Sequence, residues 1–276
     1  MSGTLYLVAT PIGNLSDVSE RAVLTLENVD FIAAEDTRVT RKLLERFNIK
    51  KQLVSYYEHN SRESGERIVN RLLSGESCAL VTDAGTPGIS DPGEDLVRLC
   101  IDADIMIYGI PGPCAAIAAL SLSGLPAGRF VFEGFLSTAR KSRYERLAEL
   151  KTEKRTIVFY EAPHKLSRTL NDMLAVFGDR NISLSRELTK IHEETIRCTI
   201  SEAVEHFSNN LPRGEFVLIV EGISDEVTPM PDFAQAIAAV NAGIKSGLSA
   251  KDAVKKTADE TGVSKNALYK AVVNNC

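Results

Sequence analysis

The sequence predicts an α/β fold: a parallel α/β domain, a second, mixed α+β domain, and a small helical unit at the C-terminal end. Three observations carry this. Through the first half, short apolar runs without strict polar alternation take turns with helix-like segments, the pattern of parallel strands covered on both faces. In the second half the strand-like runs are more β-branched and closer together. Pro229 and Pro231, inside a polar stretch at 225–232, then mark a linker. The expected boundaries are 1–118, 119–226 and 227–276.

Taken in order, the first-half strands are expected at Leu5–Thr10, Asp30–Ala34, Cys78–Thr82 and Ile105–Gly109, with helices near Val18–Leu26, Arg41–Phe47, Ser64–Leu73 and Gly93–Cys100. Second-half strands are expected at Phe130–Phe135, Thr156–Tyr160, Ile182–Arg186, Thr195–Ile200 and Glu215–Glu221. Leu166, Leu170, Leu174 and Phe177 share one face of a helix that Gly178 terminates. Beyond the linker, Phe233, Ile237, Val240 and Ile244 repeat at helical spacing, and Ser249 with Asp252 forms a capping box. Thr261-Gly262-Val263-Ser264 is a tight turn before a third helix bearing Leu268, Ala271 and Val272, so the unit reads as helix-turn-helix-like.

The bulk numbers narrow the function. The 276 residues carry a net charge of −5, which disfavours coating nucleic acid by charge alone but permits local basic patches. Five cysteines, none in CxxC spacing, and four histidines without HxxxH spacing suggest neither a disulfide framework nor a metal site. The run from Ile105 to Gly128 is uncharged, yet its three prolines and four glycines fit a buried strand, turn and helix better than a membrane span. The first basic residue is Arg21, so no secretory leader is expected, and the reading is cytoplasmic.

Glycine and proline concentrate just after expected strands, at residues 9–14, 82–93 and 109–114. In open α/β sheets, ligands bind beyond the carboxyl ends of the strands. Glycine lets the backbone approach a ligand closely, and proline holds a loop in one shape. No GxxxxGK[ST] occurs and no GxGxxG opens the first helix, so neither a P-loop nor a dinucleotide site is supported. Elimination stops at a small polar ligand held largely by backbone groups.

VATPIGNL near the start, AAEDTR at Ala33–Arg38, TDAGTPGISDPG at Thr82–Gly93 and IPGPCA at Ile110–Ala115 resemble the tetrapyrrole-methylase superfamily. FYEAPHK at Phe159–Lys165, SRELTKIHEE at Ser185–Glu194 and GEFVLIVEG at Gly214–Gly222 resemble its ribosomal RNA small-subunit methyltransferase I branch, over nearly the whole chain. The resemblance implies two α/β domains with S-adenosylmethionine (AdoMet) in the cleft between them, no metal, and a homodimer. It implies that Pro11, Ala84, Gly85, Thr86, Ile89, Cys114, Ala115, Glu161, Leu188 and Thr189 border the cofactor. It implies 2′-O-methylation of a cytidine in the decoding region of 16S ribosomal RNA, presented naked or in the assembled small subunit. Gly85-Thr86-Pro87 and Cys114-Ala115 depart from the Gly-Asp-Pro and Thr-Ser of the tetrapyrrole-modifying enzymes, which argues against a tetrapyrrole substrate.

Methyl transfer from a sulfonium is an in-line displacement that depends on alignment. A ribose hydroxyl also needs its proton accepted. Candidates for that role are Glu35, Asp36, Glu161, Glu187 and Lys190; alternatively, Asp36 caps the following helix and Glu35 pairs with Arg38 or Arg41. Arg186 is a candidate phosphate contact, or else an internal ion-pair partner of Glu187. Arg140, Lys141 and Arg143 around Tyr144, together with Lys265 and Lys270, are candidate RNA contacts, against a merely solvated helix face. Two other functions fit the pattern less well: methylation of a small molecule, which has no need of the basic stretch, and a ligand-sensing DNA-binding regulator, whose recognition helix would carry only Lys265 and Lys270.

Overall fold

The computed structural model describes residues 2–223, 233–261 and 265–273. These fall into two compact units, Met1–Gly222 and Ile223–Cys276. The larger unit contains two five-stranded sheets.

The first sheet is wholly parallel, with strands β1 (Thr4–Val8), β2 (Phe31–Ala34), β3 (Gln52–Ser55), β4 (Cys78–Val81) and β5 (Met106–Ile110) in the order β3-β2-β4-β1-β5. All four residues of β2 and all four of β4 are buried, as strands covered on both faces require. One face packs on Ile68 and Leu72 of α3 (Ser61–Leu73) and Leu96 of α4 (Glu94–Asp102). The other packs on Ala22 and Leu26 of α1 (Glu20–Asn28) and Leu44 of α2 (Thr37–Arg46). Strand β3 lacks a sequence signal because it is short, half-exposed and at the sheet edge.

The second sheet is mixed. Strands β6 (Phe130–Phe135), β7 (Thr156–Glu161), β8 (Asn181–Arg186), β9 (Glu194–Thr199) and β10 (Phe216–Val220) lie in the order β6-β7-β10-β8-β9. Only β6 and β7 run parallel. Helices α6 (Arg140–Leu150), α7 (Pro163–Phe177) and α8 (Ile200–Asn209) cover one face through Leu147, Leu170, Met173 and Phe207. Helix α5 (Ala115–Leu122) covers the other, with Ala116, Ala119 and Leu120 against Val158, Val217 and Ile219. The passage between sheets therefore precedes α5, whereas the expected boundary at 118 cuts through it; an Ala-rich helix carries no mark of which sheet it serves.

The smaller unit has α9 (Phe233–Lys245), α10 (Ala250–Thr261) and α11 (Lys265–Val273), joined by Val240, Ala253, Val254, Leu268 and Val272. Ser249 caps α10, its Oγ accepting the Asp252 amide at 3.1 Å. The expected linker at 225–232 and Ser264 lie outside the described residues. Among the described residues no helix is long and apolar enough to cross a membrane.

Candidate active site

Strands β4, β1 and β5 are neighbours, so the three Gly/Pro loops that follow them emerge side by side. Hydrogen bonds to main-chain carbonyls tie these loops into one floor. The Thr10 amide donates to the Gly85 carbonyl at 2.8 Å and the Gly85 amide returns a bond to Thr10 at 3.1 Å. Thr86 Oγ1 reaches the Pro113 carbonyl at 3.3 Å. Gly85 has φ +90°, a conformation that suits glycine.

The opposing wall comes from the second sheet: Phe135 of β6, Tyr160 and Glu161 ending β7, Ser185 on β8, the loop after it, and the start of β10. Together floor and wall enclose a cleft of ≈ 230 Å³. Gly13 sets how closely they approach. A Cβ there would lie 2.5 Å from Lys190 Cγ, 2.9 Å from Thr189 Oγ1 and 3.1 Å from the Leu188 carbonyl oxygen. At the other end the long loop turns through Ser90, at φ +62°. Ser90 abuts Gly134, where β6 shifts register against β7; a Cβ at Gly134 would stand 2.9 Å from Ser90 Oγ.

Of the residues expected at the cofactor, Ala84, Gly85, Thr86, Ile89, Cys114, Ala115, Glu161 and Leu188 line the cleft, as do Glu35, Glu187 and Lys190 among the acid–base candidates. Pro11, Thr189 and Asp36 do not; Pro11 precedes the lining Ile12, and Thr189 packs behind it against Gly13. Asp36 caps α2, accepting the Arg38 amide at 2.8 Å and the Arg38 guanidinium at 2.6 Å. That hydrogen bonding holds its carboxyl down to about 2, so Asp36 is withdrawn as a proton acceptor.

The carboxylates facing the cleft differ in their engagement. Both oxygens of Glu161 are committed inward: to the Ala162 amide at 2.8 Å, Thr169 Oγ1 at 2.5 Å and Lys165 Nζ at 3.1 Å. Glu187 and Lys190 pair at 2.9 Å, which holds the Glu187 carboxyl below its ordinary value. Glu35 accepts the Asp83 amide at 3.2 Å, and burial raises its carboxyl, as it does that of Asp83. Asp91 was not singled out in the sequence, yet it lines the cleft. Burial, and then Glu35, Asp83 and Glu215, push it up to about 7. A carboxylate inside a glycine-rich loop after a strand was the signal available.

The basic candidates divide. Arg140 and Lys141 are exposed, Arg140 lying 5.3 Å over the Tyr144 ring and Lys141 within 3.9 Å of Glu145. Arg143 is buried, 2% exposed, with its Nε and Nη2 each 2.6 Å from Asp172 Oδ2. It is removed from the RNA-contact set: position 143 shares the core face of α6 with Leu147 and Leu150. Arg186 pairs at 2.6 Å with Glu194, not with the expected Glu187. Lys265 is exposed, and the side chain of Lys270 lies outside the described residues.

Residues 4–204 match the family described as Tetrapyrrole (Corrin/Porphyrin) Methylases. A "Ribosomal RNA small subunit methyltransferase I" of Halalkalibacterium halodurans is 48% identical over 97% of this chain and 93% of its own. Proteins of that name from Synechocystis sp. and Bacillus subtilis are 47% identical over 97% of this chain and 96% of theirs, and 46% identical over 98% and 94%, respectively. Among solved structures, diphthine synthase matches with a TM-score of 0.61 at 14% identity over 80% of this chain and 90% of its own. A cobalt precorrin-4 methyltransferase matches at 0.58 and 16% identity, over 79% and 94%. The structural matches carry the two-sheet fold alone, while the sequence matches run nearly end to end. The chain belongs to the tetrapyrrole methylase family.

Proposed function

We propose that this protein transfers a methyl group from AdoMet to the 2′-hydroxyl of a cytidine in the decoding region of 16S ribosomal RNA. The observation that carries the reading is nearly end-to-end similarity, at 46–48% identity, to proteins named ribosomal RNA small subunit methyltransferase I. The cleft suits the cofactor. Ala84 makes no hydrogen bond among the described residues, leaving its amide for a ligand, and Cys114 and Ala115 open the N-terminal end of α5. Thr189 Oγ1 is a buried polar atom without a partner behind the same loop. Ile12, Leu188 and Phe135 supply apolar surface for a ring. AdoMet supplies the activated methyl; this chain's residues hold it and align the acceptor.

RNA is read here as binding through Arg140 and Lys141, with the exposed lysines Lys251 and Lys255 of the smaller unit as a second basic surface. The reading further places the enzyme in the cytoplasm, as a homodimer acting without metal. Incubation with methyl-labelled AdoMet and, in parallel, naked 16S ribosomal RNA, assembled small subunits and a precorrin tests it. Label on a cytidine 2′-oxygen is the expected result. Label on the precorrin alone, or on a nucleobase atom, overturns the reading.

A further inference from the structure

The cleft adjoins a second groove, and the two share Glu35, Ser90 and Asp91. This groove is walled by Tyr56 and Tyr57 after β3 and by Pro92 and Gly93. Tyr57 is exposed there with His59 edge-on to its ring at 6.5 Å. A nucleoside entering the groove would meet an aromatic face at one end and the cofactor cleft at the other. Of the shared groups, Glu35 is already engaged by the Asp83 amide. Asp91 is half-buried, and its carboxylate accepts no hydrogen bond from the described residues. It is also held in place: Ser90 before it is in the left-handed region and packed on Gly134, and Pro92 after it has a fixed φ.

We propose that Asp91, at the junction of the cleft and this groove, takes the proton from the hydroxyl that receives the methyl group. The proposal rests on the reading of the reaction as hydroxyl methylation. In the step, the O–H proton passes to the Asp91 carboxylate while an oxygen lone pair forms the new O–CH3 bond. The C–S bond breaks with its electron pair remaining on sulfur, and the protonated Asp91 then releases its proton to solvent. An acceptor works best when it titrates near the working pH, and the surroundings of Asp91 arrange this. From the cleft it faces Glu35, Asp83 and Glu215, with Tyr160 and the Glu187–Lys190 pair beyond. The groove that it also lines carries Glu58, His59, Glu94 and Asp95. Lys190, already paired with Glu187, is the one lysine or arginine lining either space among the described residues.

The test compares wild type, Asp91→Asn and Asp91→Glu in the full chain. Carboxyl-carbon NMR of aspartate-labelled protein without AdoMet should show one aspartate titrating near pH 7 that is missing from Asp91→Asn. The absence of any aspartate titrating above pH 6 in the wild type overturns the proposal, whatever the variants do. AdoMet affinity by calorimetry should change by less than about fivefold. Single-turnover methylation of assembled subunits should fall about 100-fold or more in Asp91→Asn, lose its inflection near pH 7, and recover in part in Asp91→Glu. Label on the 2′-oxygen with Asp91→Asn as fast as wild type overturns the proposal alone. Label on a nucleobase atom in the wild type overturns the hydroxyl reading and this proposal with it.

Discussion

Replacing Arg143 by methionine keeps most of the apolar stem and removes the charge, and its cost follows from three contacts. The guanidinium sits on the Asp172 carboxylate at 2.6 Å, with side-chain exposures of 2% and 9% for the two partners. Its Nη1 also donates to the Ser137 and Thr138 carbonyls, both at 3.1 Å, fixing the turn into α6. The turn residues are exposed, so water can replace the guanidinium there at little cost. Asp172 has no such recourse. A buried pair broken on one side costs about 3–5 kcal/mol, chiefly because the remaining charge is stranded. At about 2–4 °C per kcal/mol for a unit of this size, the midpoint should fall by about 6–20 °C. Urea and thermal unfolding without AdoMet measure this. Arg143→Met with Asp172→Leu should recover most of the loss, since an apolar pair of similar volume is often neutral. Arg140→Ala with Lys141→Ala, on the exposed side of the same helix, should stay within about 0.5 kcal/mol of wild type. An Arg143→Met protein within 1 kcal/mol of wild type would refute the argument.

Three further outcomes are expected. Gly13→Val should weaken AdoMet binding about tenfold or more, and Gly13→Ala less, because the new atoms meet Leu188, Thr189 and Lys190; equal affinities by calorimetry would show that the approach of floor to wall is not set there. Asp91 is raised from 3.8 to about 7 in the folded protein, so the folded state holds its proton more tightly than the unfolded chain. Its contribution to stability is therefore full below pH 4 and lost as pH rises toward about 7; Asp91→Asn should flatten that slope in unfolding measurements, and an unchanged slope counts against the assignment. A chain ending at Gly222 should bind AdoMet with unchanged affinity but methylate assembled subunits more slowly. Full speed across a range of salt concentrations would deny the smaller unit a docking role, and lost binding would make it part of the core.

What the sequence reveals depends on whether a residue's role is local. The buried runs at β2 and β4 carry their environment in their own composition, so the parallel sheet and the three loops on its carboxyl edge are legible. Helix α8 is also locally written, in the capping box of Thr199 and Glu202. Arg143 was legible in part, since its spacing from Leu147 and Leu150 places it on the apolar face. It stands among other basic residues, though, and Asp172 is 29 positions away. Asp91 and Gly13 each stand in a glycine-containing loop after a strand, which marks the loop but not the residue. Each acquires its meaning from the other sheet, through the register shift at Gly134 and the loop at Leu188–Lys190.

The floor of the cleft is made largely of main chain: Thr10 and Gly85 are joined through their amides and carbonyls, and the Pro113 carbonyl is held by the Thr86 hydroxyl. Main-chain groups are common to all residues, so point mutation has few handles there. A competitive inhibitor that bonded to main-chain groups these loops leave open, such as the Ala84 amide, would not be escaped by deleting a side chain that contacts it. Escape would require adding bulk at positions such as Ala84 or Ala115, and on the reading proposed above the same bulk would exclude AdoMet. If the cleft holds AdoMet as proposed, tolerated substitutions should therefore gather on the acceptor side, where side chains such as Tyr57 and His59 make the surface.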